Sequence, residues 1–234
     1  MAPWTLHQDL INAANHKFPG IEPGAKRKDR PRTISVFSNT FVENYLAKAH
    51  WITPGVVFAP VATYGLYRGL TAGPGALTHT LALFPLGILV WTLIEYLLHR
   101  FVFHGIKVTE KNPQNYLVHE YHHDFPDDGM RLVMPVTISG PIGVIFAMTY
   151  HYLLGPVWMF PMLAGSAVGY TAYDWIHYYT HHGRPKTAVG KYLRRYHLVH
   201  HFTGIDACYG VSSPLWDLVF GTYKPSDTPD KPSA

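Results

Sequence analysis

The sequence predicts an all-α integral membrane protein whose four transmembrane helices form two hairpins. Three features lead to this prediction: four apolar segments of about 20 residues, tight Gly/Pro turns that join them in pairs, and many histidines next to them. Of the 234 residues, 47% are hydrophobic and only 15% are charged, whereas an average soluble domain has about 25% charged residues. This composition excludes a disordered chain and a coiled coil.

Each apolar segment is long enough to cross, as a helix, the roughly 30 Å hydrocarbon core of a bilayer. Prolines interrupt several of the segments, and membrane helices tolerate such prolines better than soluble helices do. The alternative is a set of buried helical hairpins in a soluble all-α domain, which the near absence of charge disfavours. The predicted spans are residues 52–70, 76–98, 132–154 and 156–176.

Basic residues precede the first span, lie between the second and third, and follow the fourth, whereas the two hairpin tips carry almost none beyond Arg68. The positive-inside rule therefore places both termini and the central loop in the cytoplasm. The membrane would be the bacterial inner membrane, or that of the endoplasmic reticulum if the protein is eukaryotic. The net charge of +4 suits anionic headgroups, and without a basic stripe on a soluble fold we expect no nucleic-acid partner.

The chain divides into three parts by composition. Residues 1–50 form a polar N-terminal arm, residues 51–223 the membrane domain, and residues 224–234 a Pro/Ser/Asp-rich tail that is predicted to be disordered. The single cysteine, Cys208, excludes a disulfide framework, a CxxC zinc site and a cysteine-ligated iron–sulfur cluster.

Histidine is unusually frequent: the chain has 16, against 19 lysines and arginines together. Two HxxHH motifs, HEYHH and HLVHH, rarely arise by chance, and HRFVFH and HYYTHH end the second and fourth predicted spans. All four groups lie on the predicted cytoplasmic side. The ten histidines of these groups are His99, His104, His119, His122, His123, His177, His181, His197, His200 and His201.

The spacing of these histidines is that of metal ligands. Residues four apart share one face of a helix, so three pairs can each hold one metal: His119 with His123, His177 with His181, and His197 with His201.

The remaining four histidines extend this pattern. His122 and His200 project about 100° from their neighbours and can reach a second metal, whereas His99 and His104, five apart, converge only if the helix end is distorted. Ten imidazoles exceed the four to six ligands that one first-row metal takes, so the sequence predicts a dinuclear site. Imidazole suits iron, copper, nickel or zinc.

Two carboxylates lie at helical spacing from these histidines. Glu95 precedes His99 by four residues, and Asp174 precedes His177 by three. A metal-bound histidine usually donates its other N–H to such a group, so we expect both acids to orient ligands. The alternative is an ordinary interfacial acid paired with Arg or Lys.

The segments EYLLHRFVFH, HEYHHDFP, YDWIHYYTHH and YHLVHHF, the last followed by YGVSSPLWDLVFGTYKP, closely resemble the membrane fatty acid hydroxylase/sterol desaturase superfamily. Within it, the sequence is most similar to the fatty acid 2-hydroxylases, over residues 91–223. The resemblance implies a four-helix membrane anchor under a cytosolic helical cap that holds a histidine-rich dinuclear metal site. It also implies O2-dependent hydroxylation of a lipid acyl chain at C2 by that metal centre, with iron in the active enzyme and zinc possible as isolated. It implies that the ligands of one metal are His99, His104, His119, His123 and His200, and those of the other His122, His177, His181, His197 and His201.

Many eukaryotic members of this superfamily begin with a cytochrome b5 domain that carries an HPGG haem motif. Here about 50 residues precede the first predicted span, and HKFPG around His16 is not that motif. We therefore expect electrons from a separate cytochrome b5-like or ferredoxin-like protein.

Two alternatives to acyl 2-hydroxylation remain at this point. One is a related oxygenase that acts on another lipid, as a sterol C4-methyl oxidase, a desaturase or a carotenoid hydroxylase. The other is a non-redox metal-binding or transport protein, although the histidines cluster on one side and do not line a path through the spans.

Overall fold

In the computed structural model, residues 2, 4–15, 31–108, 112–203 and 206–224 are described. They form helices joined by short irregular segments, and no β-strand occurs among them, which confirms the all-α prediction. Most of the predicted disordered tail, residues 225–234, lies outside the described part of the chain. The α-helices are α1 (Gln8–Ala14), α2 (Thr53–Leu70), α3 (Ala76–Leu97), α4 (Glu120–Asp124), α5 (Val136–His182), α6 (Ala188–Phe202) and α7 (Leu215–Val219).

Helices α2 and α3 form the first hairpin, and their bounds differ by only one residue from the predicted spans. The turn between them contains Gly73 and Gly75, whose φ angles are +99° and +77°. Residues with a Cβ atom rarely adopt such angles, and glycine adopts them freely. The Gly/Pro turn thus ends one helix and begins the next.

Helix α5 is itself a hairpin of two arms, because the chain reverses at Gly155, where φ is +78°. The hydroxyl of Tyr150 lies 2.8 Å from that of Ser166, whereas 16 residues of straight helix would separate them by about 24 Å. The first arm begins at Val136, later than predicted, because the extended backbone of Pro135 caps it. The second arm continues to His182, beyond the predicted end of the fourth span.

The second arm of α5 packs in parallel against α3. A Cβ atom at Gly87 would lie 2.2 Å from the backbone oxygen of Met162, and Gly169, one turn beyond Gly165, lies against Trp91. The Ser166 hydroxyl also donates to the carbonyl of Gly87 over 3.1 Å. Glycine at this contact lets the two backbones approach more closely than any side chain would allow.

Two helices in the described part of the chain are long and apolar enough to cross a bilayer. They span Ala76–Phe103 and Val136–His182, with mean hydropathy values of 2.0 and 1.3 over their most apolar stretches. Only 22% and 6% of these stretches are buried in the structure, whereas the core helix of a soluble protein is mostly buried. Most of the apolar side chains of these two helices therefore lie on the surface of the structure.

The described residues of the N-terminal arm fold onto the segment between α3 and α5. Helix α1 packs in a small core with Val36, Tyr116 and Phe125. The buried Glu43 carboxylate accepts backbone N–H groups of the arm and forms an ion pair with Arg131, next to α5. The packing of α1 in this core fixes the position of α4, which carries part of the HEYHH motif.

Candidate metal centre

The ten histidines singled out in the sequence lie together in two groups of five. Within each group, one ring nitrogen from every histidine lies within 4.8 Å of those of the other four. These are the same two groups that the family resemblance implies. Cluster 1 consists of His99, His104, His119, His123 and His200, and cluster 2 of His122, His177, His181, His197 and His201.

A π-helical turn at Leu98–Phe103 brings the first two histidines together. The N–H of His104 donates to the carbonyl of His99 over 3.2 Å. In π-helical bonding, residues five apart take the relation that residues four apart have in an α-helix. The end of α3 is thus distorted in the way that this spacing requires.

The two HxxHH motifs each divide their histidines between the clusters. In HEYHH, His119 and His123 belong to cluster 1 and His122 to cluster 2. In HLVHH, on α6, the assignment is reversed: His200 belongs to cluster 1, and the two histidines four apart belong to cluster 2. The other pair four apart lies on the second arm of α5 and completes cluster 2. Neighbouring side chains about 100° apart on a helix can therefore serve two adjacent metals.

The Nε2 atoms converge at separations that suit a shared metal ion. In cluster 1, His119 Nε2 lies 3.0 Å from His99 Nε2 and 2.9 Å from His123 Nε2. In cluster 2, the His122–His177 separation is 3.0 Å. Two nitrogens bound at about 2.1 Å to one metal, at a right angle, would lie about 3.0 Å apart. The donor set therefore fits a metal in each cluster.

The electrostatics of the clusters favour neutral imidazole, the form that binds a metal. Burial and the neighbouring imidazoles hold the pKa of His119 and His197 well below the usual value of histidine. Burial lowers the pKa of His123 to about 3 and that of His200 to about 4. At neutral pH the nitrogen lone pairs are thus available as ligands.

Backbone carbonyls orient two ligands of cluster 1. The Nδ1–H of His200 donates to the carbonyl of Ala207 over 2.9 Å, and that of His99 donates to the carbonyl of Tyr209. These bonds fix the tautomer and leave each Nε2 lone pair for the metal. In cluster 2, by contrast, the buried Nδ1 atoms of three ligands have no hydrogen-bond partner within the described residues: those of His177, His197 and His201.

Neither of the two carboxylates predicted to orient ligands has a hydrogen bond to its histidine among those found in the described residues. Glu95 accepts the backbone N–H groups of Val211 and Ser212, and the acceptor for His99 is a carbonyl instead. Asp174 is only 1% exposed, and its Oδ2 atom has no hydrogen-bond partner in the described part of the chain. Helical spacing places each acid near its histidine, yet it does not determine which group the acid contacts.

A cavity of about 450 Å³ adjoins both clusters. Its wall includes His119, His122 and Asp174, and most of the remaining wall is apolar. A second cavity of about 300 Å³ lies among α2, α3 and α5, and Met134 borders both. The two cavities are therefore neighbours at Met134.

A comparison with protein families identifies the chain. The family model described as fatty acid hydroxylase matches residues 84–222, more than half of the chain, and this range contains all ten histidines. The chain belongs to the fatty acid hydroxylase family.

The names of two relatives of this hydroxylase describe enzymes that act on lipids. A dihydroceramide fatty acyl 2-hydroxylase of Arabidopsis thaliana is 41% identical over 80% of this chain and 78% of its own length. The ceramide very long chain fatty acid hydroxylase SCS7 of Saccharomyces cerevisiae is 37% identical over 96% of this chain and 55% of its own length. A solved structure of full-length scs7p, in which only the hydroxylase domain is visible, matches with a TM-score of 0.74 at 35% identity, over 82% of this chain and 74% of that one.

Two further histidines of the hydroxylase lie at the opposite ends of the helices. The ring of His79 stacks on Trp158 with 4.0 Å between ring centroids, and its Nδ1 atom contacts the carbonyl of Gly75. His151 is exposed near the reversal of α5. Neither His79 nor His151 belongs to either cluster. Their place at the far ends of the helices is typical of histidines that bind no metal.

Proposed function

We propose that the protein hydroxylates a lipid acyl chain at C2, using two metal ions held by cluster 1 and cluster 2. The observation that carries this proposal is the pair of five-imidazole groups beside a largely apolar cavity. The names of the relatives supply the position on the acyl chain and the substrate class, a ceramide or another lipid with a fatty acyl group.

Breaking an unactivated acyl C–H bond is beyond the acid–base chemistry of side chains. Two metal ions, iron in the active enzyme and zinc possible as isolated, would supply the activation of O2 that this step requires. The overall reaction consumes O2, two electrons and two protons, and it leaves one oxygen atom on C2 and the other in water. We propose that a separate cytochrome b5-like or ferredoxin-like protein delivers the electrons.

The chain's own residues bind and orient the lipid. The larger cavity would hold the carbonyl end of the acyl chain beside His119 and His122, and its apolar wall would exclude water. The smaller cavity, past Met134, would take the methylene chain. Asp174, buried with an unpartnered oxygen at the larger cavity, would fix the polar end of the substrate. C2 then lies at the metals because the head group stops there.

We further propose that α2, α3 and the two arms of α5 cross the membrane, as two hairpins, with the clusters in a cytosolic helical cap. The exposed, apolar surfaces of α3 and α5 support this arrangement. The exposed basic residues Arg184, Lys186 and Lys191 lie at the histidine end of the molecule, as the positive-inside rule requires of a cytoplasmic face. In this arrangement residues 51–223 are the hydroxylase domain, and both termini are cytoplasmic, at the bacterial inner membrane or the endoplasmic reticulum.

Lipid analysis of cells that express the full chain tests the activity. We expect acyl chains that gain the mass of one oxygen atom, with fragmentation placing it at C2, and no such gain with His200→Ala. Loss of two hydrogen atoms, or a change confined to sterols or carotenoids, would assign the enzyme to another oxygenase class. A reporter fused after Ala234 tests the topology: activity only in its cytoplasmic form is expected, and the opposite result refutes the orientation.

A further inference from the structure

The segment of residues 207–212, between α6 and α7, is buried beside cluster 1. Cys208 is fully buried and has a φ angle of +61°. A residue with a Cβ atom rarely adopts this left-handed conformation, so surrounding contacts must hold the segment in place.

Two buried carboxylates supply those contacts. Asp217 accepts the N–H of Tyr209 over 2.9 Å and that of Gly210 over 2.7 Å. Glu95 accepts the next two N–H groups, those of Val211 and Ser212, over 2.7 and 2.8 Å. Four consecutive backbone N–H groups are therefore held by two acids that are at most 4% exposed.

The same segment provides the acceptors for two ligands of cluster 1. The carbonyls of Ala207 and Tyr209 receive the Nδ1–H groups of His200 and His99. Because Tyr209 is bonded through its N–H to Asp217 and through its carbonyl to His99, the position of the carboxylate is transmitted to the imidazole. In cluster 2, the Nδ1 atoms of His177, His197 and His201 have no such acceptor within the described residues.

We propose that Glu95 and Asp217 are positioning residues that set the metal affinity of cluster 1 and leave that of cluster 2 unchanged. This inference rests on the proposed dinuclear site. Replacing Asp217 by asparagine removes the negative charge and turns one acceptor into a donor that faces the backbone N–H of Tyr209 or Gly210. The segment must then shift, and His99 and His200 lose their fixed acceptors. Loss of such an outer contact typically weakens metal binding by about 10–100-fold.

The test uses full-length protein in detergent, loaded with zinc, with one cluster weakened at a time, so that the slower phase of zinc release reports the intact cluster. In a His181→Ala background only cluster 1 keeps five ligands, and in a His104→Ala background only cluster 2 does. Adding Asp217→Asn to each background, we expect zinc release to a chelator to become about tenfold faster from cluster 1 and to stay unchanged from cluster 2.

Glu43→Gln is the matched control. Glu43 is another buried carboxylate, only 7% exposed, and it accepts two backbone N–H groups as Asp217 does, but these belong to Val36 and Phe37 of the N-terminal arm. We expect this substitution to leave zinc release from both clusters unchanged. Faster release from both clusters with Asp217→Asn would show general destabilisation, and unchanged release from cluster 1 would show that the carboxylate does not position its ligands. Either outcome overturns the proposal.

A milder variant keeps the proposal testable if Asp217→Asn does not fold. Ser212→Ala removes the hydroxyl that donates to Glu95 and leaves both carboxylates in place. One lost hydrogen bond predicts about threefold faster release, again from cluster 1 alone. Equal release rates for Ser212→Ala and the wild type would contradict the role of Glu95. These measurements follow zinc only, so they stand apart from the activity; a wild-type protein that binds a single zinc would instead refute the dinuclear site itself.

Discussion

Each cluster consists of five imidazoles, but the backbone that presents them differs between the two. In cluster 2, two ligands lie on the second arm of α5 and two on α6, each pair four residues apart in a regular helix. In cluster 1, His99 lies in a π-helical turn, His104 ends that turn, and His119 caps α4 with a φ angle of −158°. Regular helices support one metal site, and helix ends support most of the other.

The contacts that support the ligands from outside their own helices also differ. Ligands four apart in α5 and α6 share one face of a regular helix, which fixes their directions relative to each other. In cluster 1, His99 at the end of α3 and His200 in α6 each donate to a backbone carbonyl of the buried segment 207–212. One repeated motif, HxxHH, can therefore contribute to two sites of equal ligand number whose support differs.

The largest effect that we expect is the same for both clusters. If the reaction needs both metals, His200→Ala in cluster 1 and His122→Ala in cluster 2 should each lower the 2-hydroxy acyl content of cells at least 100-fold, at matched protein level. Both variants should still insert into the membrane. Substantial activity in one variant and not the other would show that only one cluster takes part in the chemistry.

The second expected effect concerns metal content. The wild type should bind two metal equivalents, and His104→Ala and His181→Ala should each keep only about one after treatment with a chelator, since each leaves four ligands and a weaker site at a different cluster. Elemental analysis of the purified full chain, before and after the chelator, measures this. If either substitution releases both metals, the clusters form one cooperative unit, and the comparison between them fails.

A smaller effect is expected at Asp174. Its carboxylate lines the cavity, and its Oδ2 atom has no hydrogen-bond partner in the described residues, so Asp174→Asn should weaken a hydrogen bond to the substrate and lower hydroxylation by about tenfold while both metals remain bound. Parallel measurements of 2-hydroxy acyl content and metal equivalents separate the two properties. Loss of metal from cluster 2 would show instead that Asp174 supports that cluster.

The smallest effects are expected at the far ends of the helices. His79→Ala removes a stacking contact with Trp158, worth about 1 kcal/mol of stability, and His151→Ala removes an exposed side chain. Both variants should retain near-normal activity and both metals. Complete loss of hydroxylation in His79→Ala would mean that the active site has been placed at the wrong end of the molecule.

The sequence predicted the parts of this molecule that depend on periodicity. Apolar stretches between glycine turns predicted the helices, and histidines four apart predicted which imidazoles share a face. The five-residue spacing of His99 and His104 also predicted a distorted helix end, which is the π-helical turn.

Contacts between distant segments escaped this reasoning. Glu95 bonds to Val211 and Ser212, which lie 116 and 117 positions further along the chain. The acceptors at Ala207 and Tyr209 are backbone carbonyls, which every residue carries. Because a carbonyl has no signature in the sequence, neither the support of cluster 1 nor the role of Asp217 could be read from the residues alone. The packing of α1 on Tyr116 likewise depends on tertiary structure.

The glycine contact between α3 and α5 bears on the distance between the two metal sites. Gly87 precedes His99 by twelve residues, and Gly165 precedes His177 by twelve as well, so both histidines lie roughly 18 Å along parallel helices from the point where the backbones touch. A small change in the angle between the two helices at that contact therefore becomes a larger displacement at His99 and His177, which are ligands of different clusters. A single methyl group inserted there, deep among apolar side chains, would spread the helices and change the separation of two sites that it never touches.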